Sequence, residues 1–203
     1  MMLTQWGGLV ALVAIAVTTI SLVVLHLVPS GLSPVRDPVS QYGITRFRGG
    51  YAVAAISAGV AGIGGILVLA PVGGSLATVI LLALFAAARI LIPFFPMDAP
   101  GMAASYPGRI HNVLAFTAFG AATAAGFVAG GLLHDAGAPT AATLSTVFAG
   151  VSAVGAVGLL VSRIGRRRAL FGAAERVIYL GFIAWFVLIG VVGLTAALDG
   201  GVA

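Results

Sequence analysis

The ten basic residues of this chain are all arginines, and they lie in or beside three of the five polar interruptions between its long apolar stretches. Arginine is costly inside hydrocarbon, and cytoplasmic loops accumulate lysine and arginine. The alternation therefore predicts an all-α fold of six membrane-spanning helices, with both termini on the outer side. Three arginines follow the first stretch, two bracket the end of the third, and five follow the fifth: Arg36, Arg46 and Arg48; Arg89 and Arg109; and Arg163, Arg166, Arg167, Arg168 and Arg176.

The composition agrees with a chain that lies in lipid. Hydrophobic residues make up 61% of the 203 residues, and charged residues only 7%. Six spans of about 20 residues each leave only short loops, so we predict one transmembrane domain over residues 1–203 and no soluble domain. The net charge of +5 is concentrated at one face of the predicted bundle. It therefore indicates contact with membrane lipids rather than with nucleic acid.

The predicted spans are separated by prolines, glycines and charged residues. No positively charged segment precedes the first apolar stretch, so we interpret that stretch as a retained helix and not as a cleaved signal. The chain has no cysteine, which excludes disulfides and thiolate metal sites. The spans cover approximately residues 8–28, 51–69, 76–92, 109–133, 141–161 and 172–198.

Small residues recur at four-residue spacing within two of the spans. Ala122, Gly126 and Gly130 share one face of the fourth helix, and Ala58 shares a face with Gly62 on the second. Helices associate in lipid through close backbone contact, which small residues permit. We therefore predict that the stripe on the fourth helix packs against another helix of the same chain.

Arg89 lies inside the third span, where an unpaired charge costs at least ~2.5 kcal/mol on insertion scales. It either extends to the membrane interface or pairs with an acid inside the bundle. Asp98 and Glu175 are predicted to lie at a similar depth. We expect Arg89 to bond one of them, with His111 lining the same cavity, open to the cytoplasm.

Asp98 and His111 admit two interpretations. Asp98 lies between prolines and a glycine, where a carboxylate usually caps a turn, and His111 opens the fourth helix near the interface. Alternatively, the two face each other as a carboxylate–imidazole pair that moves protons near neutral pH. Ser40 and Ser105 are the nearby serines that could complete a Ser–His–Asp triad. No nucleophile motif in the sequence supports either of them. The structural interpretation is favoured.

Glu175 and Arg176 begin the sixth helix. A glutamate is favoured there by the helix dipole, and Glu175 shares a helix face with Tyr179. His26, in the first span, is one of two membrane histidines that could in principle hold a haem, but no supporting motif accompanies them. We predict no cofactor and no metal.

Four short polar segments resemble a prokaryotic membrane family catalogued as domain of unknown function 998. The resemblance implies a six-helix protein of about this length and a shared polar set of Ser40, Asp98, His111, Glu175 and Arg176. It implies no substrate. The segments are Asp37-Pro38-Val39-Ser40-Gln41-Tyr42-Gly43, Phe95-Pro96-Met97-Asp98, Gly108-x-x-His111 and Gly172-x-x-Glu175-Arg176.

Two classes of function fit these residues. The favoured one is a non-catalytic protein of the plasma membrane: a lipid- or small-ligand-binding, permease-like or accessory subunit with a polar cavity at its inner side. Membrane lipids and a helix of another subunit are the expected partners. The other is an intramembrane enzyme that acts on a lipid or isoprenoid substrate with Asp98 and His111 as its acid–base pair. Together with Arg89, the shared polar set forms the candidate site.

Overall fold

The computed structural model of the chain describes residues 3–72, 75–164 and 168–195, without the side chains of residues 163, 164 and 168. Within this part the fold is all-α, as predicted, and six helices are long and apolar enough to cross a membrane. Short 3₁₀ helices cover Val39–Ile44, Ile92–Phe94 and Arg168–Leu170. The six helices are α1 (Leu3–Leu27), α2 (Arg48–Leu69), α3 (Leu76–Leu91), α4 (Tyr106–Asp135), α5 (Pro139–Ile164) and α6 (Phe171–Thr195).

Several helices extend beyond the predicted apolar spans, and at the start of α4 a polar residue caps the extension. The fourth span was expected to begin at residue 109, but α4 begins at Tyr106, where the Ser105 hydroxyl accepts a hydrogen bond from the Gly108 amide at 3.1 Å. Hydropathy marks the lipid-embedded stretch, whereas a helix ends where its backbone groups find caps. The predicted end of the sixth span, residues 196–198, lies outside the described residues.

The helices form a closed ring in which neighbours along the chain pack together and α6 returns to α1. α6 also reaches α2 and α4 across the interior, so it contacts more helices than a simple ring requires. Its buried face is rich in aromatic side chains, among them Tyr179, Phe182 and Phe186, and Phe186 stacks on Phe85 of α3 with ring centroids 5.0 Å apart. α6 therefore turns an aromatic face towards the interior of the ring.

Glycines bring α1 into backbone contact with both α2 and α6. A Cβ added at Gly64 would lie 2.6 Å from the Ala11 amide nitrogen, and one at Gly8 would lie 2.6 Å from the Gly190 carbonyl oxygen. Side chains at these positions would force the helices apart, which is the usual role of small residues between membrane helices. The same contacts place the start of α1 and the end of α6 at one end of the bundle. The side of the membrane that this end faces stays a prediction.

The small-residue stripe on α4 packs as predicted. A Cβ at Gly126 would lie 2.9 Å from Ala149 Cβ of α5, and one at Gly130 would lie 2.5 Å from Thr146 Oγ1. Ala122 is buried as well. The stripe therefore faces a neighbouring helix at close range.

Candidate functional site

The first connecting loop (residues 28–47) folds over the start of α6. The Ala173 amide donates to the Val35 carbonyl at 2.9 Å, and the Val39 amide donates to Glu175 Oε2 at 2.6 Å. Gly172 lies against the carbonyl oxygen of Asp37, where any side chain would collide with it. The loop thus docks through its backbone onto the first turns of α6.

The buried side chain of Glu175 accepts a hydrogen bond from a backbone amide. Its side chain is 4% exposed, and its carboxylate interacts electrostatically with both Arg89 and Arg176. A buried carboxyl oxygen needs a hydrogen-bond partner, because an unpaired polar group costs free energy in a low-dielectric setting. Glu175 therefore ties the loop at Val39 to α6.

Arg176 ties three chain segments together. Its Nε donates to His26 Nε2 of α1 at 2.7 Å, and its Nη1 donates to the carbonyls of Asp37 and Gly172 at 3.0 and 2.9 Å. Arginine is a donor only, so His26 Nε2 must accept. The proton of the neutral ring then lies on Nδ1, which donates to the Leu22 carbonyl at 2.6 Å. Both ring nitrogens of His26 therefore make hydrogen bonds within the protein.

Arg89 bonds neither of the predicted acids, so that expectation was wrong. Its guanidinium is 1% exposed and donates from Nη1 to the Tyr179 hydroxyl at 3.1 Å, with its central carbon 5.4 Å from the ring centroid. Nε and Nη2 have no hydrogen-bond partner among the described residues. Glu175 is held by the Val39 amide instead, and interacts with Arg89 only electrostatically.

Asp98 caps the start of α4 and does not pair with His111. Both of its carboxylate oxygens accept from the Ser105 amide at 3.2 Å, and the side chain lies over Gly108, where a Cβ would overlap it. His111 uses Nδ1 to donate to the Phe95 carbonyl at 2.8 Å. No hydrogen bond joins Asp98 and His111 in the described part of the chain. The acid–base pair is therefore not assembled.

The expected polar cavity is closed. Arg89, His111 and Glu175 are 1%, 3% and 4% exposed, and side chains so thoroughly covered do not line an open cavity. Each is held by a different neighbour: Glu175 accepts from the docked first loop, His111 donates to the Phe95 carbonyl, and Arg89 donates to Tyr179. No group of three or more histidines or acids suited to a metal ion occurs in the described residues.

The polar segments singled out from the sequence meet in pairs. The segment that begins at Asp37 packs on the one that begins at Gly172, and the Phe95–Asp98 segment packs on Gly108-x-x-His111. Ser40 joins the two pairs, because its hydroxyl donates to Met97 Sδ at 3.3 Å. The predicted set is therefore gathered at one end of the bundle, but as separate contacts rather than as one reactive centre.

Sequence reasoning missed two side-chain partners and one backbone group. Tyr179 and His26 bind the two arginines, and the Val39 amide binds Glu175. The four-residue spacing of Glu175 and Tyr179 was a usable signal, since it places both on the inward face of α6. No residue type or spacing in the sequence indicates that the Val39 amide is the partner of Glu175.

Two cavities lie away from these buried contacts. One, of about 600 Å³, is a groove between α1 and α2 on the outer surface of the bundle. The other, of about 570 Å³, lies at the start of α2 and is lined by Gly43, Ile44, Thr45, Arg46, Arg48 and Pro96. Neither is lined by a residue of the predicted polar set. The groove is lined by Trp6, Leu9, Val10, Val13 and Ala14 of α1 and by Ala52, Val53, Ile56, Ser57 and Val60 of α2.

Comparison with known proteins identifies the family but no characterised relative. The family model described as "Protein of unknown function (DUF998)" matches residues 10–192, so the chain belongs to this family. No curated protein and no solved structure matches the chain. The family predicted from the sequence is thereby confirmed.

Proposed function

We propose that this member of the DUF998 family is a multi-pass protein of the plasma membrane that binds lipid without changing it chemically. The observation that carries the proposal is the groove between α1 and α2. All of its lining residues are apolar except Ser57. The Ser57 hydroxyl is already used, since it bonds the Val53 carbonyl at 2.6 Å and Thr18 Oγ1 at 2.8 Å.

The groove has the position and length of a lipid chain. Thr18 of α1 contacts Ser57 of α2, which aligns the two antiparallel helices. From that alignment, the lining residues between the levels of Trp6 and Ala52 extend about 25 Å along the bundle. This is most of the roughly 30 Å thickness of the hydrocarbon core. Trp6 and Val13 are 52% and 56% exposed, so the groove opens toward the bilayer.

The absence of a reactive pair favours binding over catalysis. A nucleophile and its base must lie within hydrogen-bond reach of each other. Among the described residues, Asp98 and Ser105 instead cap α4, His111 is bound to a backbone carbonyl, and Ser40 is bound to Met97. These contacts hold loops on helices, which supports a structural role for the polar set.

The test is photocrosslinking of purified protein to a phospholipid with a photoactivatable acyl chain. Ile56→Trp fills the groove and should abolish most of the labelling on α1 and α2. Val154→Trp is the matched control, because Val154 lies on α5 with 69% of its surface exposed and does not line the groove. Equal labelling of the parent and Ile56→Trp would refute the proposal. The proposal would also be refuted if the parent is an oligomer and Ile56→Trp dissociates it without reducing the labelling. The groove would then bind a helix of another subunit rather than a lipid.

A further inference from the structure

The cavity at the start of α2 carries positive charge without a balancing acid. Arg46 and Arg48 line it together with Pro96 of the loop that follows α3, and no aspartate or glutamate is among its lining residues. Both arginines are exposed. The cavity is thus distinct from the polar contacts described above, whose arginines Arg89 and Arg176 are buried and partly buried.

We propose that this cavity binds the phosphate of an anionic lipid headgroup, with Arg46 and Arg48 as its cationic ligands. The inference rests on the proposed lipid-binding function and names the class of lipid. Guanidinium groups suit this chemistry, because their planar arrangement of N–H donors matches two phosphate oxygens at once.

Both arginines have N–H groups that are not hydrogen-bonded to the described part of the protein. The only hydrogen bond of the Arg46 side chain within the described residues is a long one, from Nη2 to the Pro29 carbonyl at 3.4 Å, and its guanidinium stacks 4.7 Å from the Phe47 ring centroid. The Arg48 side chain has no hydrogen bond or ion pair in the described part of the chain. A phosphate would therefore gain new hydrogen bonds without breaking strong existing ones.

The cavity lies at the depth of a headgroup. α2 begins at Arg48 and contains 22 residues, which gives a helix of about 33 Å at the standard rise. That length matches the roughly 30 Å hydrocarbon core, so its first residue lies at the level of the lipid phosphates. The positive end of the α2 dipole points the same way and adds to the charge of the arginines.

The cavity and the groove meet on neighbouring turns of α2. Arg48, Ala52, Ile56 and Val60 follow one another at four-residue intervals, so they form a row that turns about 40° around the helix at each step. The last three line the groove, and the first lines the cavity. One lipid molecule can therefore place its acyl chain in the groove and its phosphate between the arginines.

The experiment compares two lipids and one soluble headgroup on the purified full-length protein. Native mass spectrometry measures binding of phosphatidylglycerol and of phosphatidylcholine with identical chains, and glycerol 1-phosphate is added as a competitor. Arg46→Gln combined with Arg48→Gln should weaken phosphatidylglycerol binding about 30-fold, at ~1 kcal/mol for each arginine near the membrane surface. Phosphatidylcholine binding should stay within a few fold.

The matched control is Arg36→Gln combined with Arg109→Gln, which removes two exposed arginines that do not line the cavity. An equal loss of phosphatidylglycerol binding in this control would show surface attraction alone and overturn the site. Unchanged phosphatidylglycerol binding in the Arg46 and Arg48 variant would also overturn the headgroup site. It would not contradict the proposal that the groove binds an acyl chain. Competition by glycerol 1-phosphate at concentrations equal to the lipid would assign the site to a soluble phosphate. If the parent binds neither lipid, the proposed lipid-binding function itself is refuted.

Discussion

Replacing Tyr179 by phenylalanine tests how the bundle tolerates the buried charge of Arg89. The Arg89 guanidinium is 1% exposed and makes a single hydrogen bond, to the Tyr179 hydroxyl at 3.1 Å, among the described residues. The substitution removes that hydroxyl and keeps the ring, which lies 5.4 Å from the guanidinium carbon. The cation–π contact therefore survives while the hydrogen bond is lost.

The expected cost of Tyr179→Phe is about 2 kcal/mol, because a hydrogen bond to a charged group contributes roughly 1.5–3 kcal/mol. Arg89→Met should cost less than this. It removes a buried charge whose desolvation is only partly compensated, and apolar replacements of such charges are often neutral. The double variant should cost less than the sum of the two single variants, since both remove the same contact.

Reversible unfolding by SDS in mixed micelles, followed by circular dichroism, measures these differences. Tyr106→Phe is the control, because Tyr106 is 76% exposed and should leave the unfolding midpoint unchanged. The reasoning is refuted if Tyr179→Phe unfolds at the same SDS fraction as the parent. It is also refuted if Arg89→Met is the more damaging of the two, because Arg89 would then draw its stability from another partner.

Three further substitutions test the packing, the docked loop and the orientation. Gly126→Leu should lower the thermal stability in detergent, since even a Cβ at this position lies 2.9 Å from α5, whereas Gly120→Leu, with nothing within 4 Å, should melt like the parent. Glu175→Ala should free the first loop. A cysteine introduced at Ser40 should then react faster with a maleimide than the same cysteine in the parent background. Equal rates would show that the carboxylate does not hold the loop. A cysteine introduced at Ala104, which is exposed between α3 and α4, should react with a membrane-impermeant maleimide only in opened cells, and labelling of intact cells would reverse the predicted orientation.

The six helices could be predicted because hydrocarbon thickness fixes their length and arginine is excluded from it. The helix ends could not be predicted to the residue. They depend on caps such as Ser105, whose hydroxyl takes up the Gly108 amide. A hydropathy pattern does not contain that information, because capping acts on backbone groups that the apolar stretch leaves unpaired.

The gathering of these polar residues at one end of the bundle was predictable, but their hydrogen-bond partners were not. Segments rich in proline and charge between apolar stretches had to gather at the ends of the bundle, and they did. Pairing depends on how each helix is rotated about its axis. α3 and α6 are apolar on most of their surface, so their sequences give little indication of which face turns inward. For this reason Arg89 was assigned to a carboxylate, although the rotation of α6 presents Tyr179 to it.

The buried charges and the surface cavity are connected through one loop. Glu175 and Arg176 hold the first connecting loop by its backbone, at the Val39 amide and the Asp37 carbonyl. The same loop continues into residues 43–46, which form one wall of the cavity at the start of α2. Since a carboxylate and a guanidinium at a helix start can fix a loop without contacting its side chains, the loop residues that line the cavity stay free to meet a ligand.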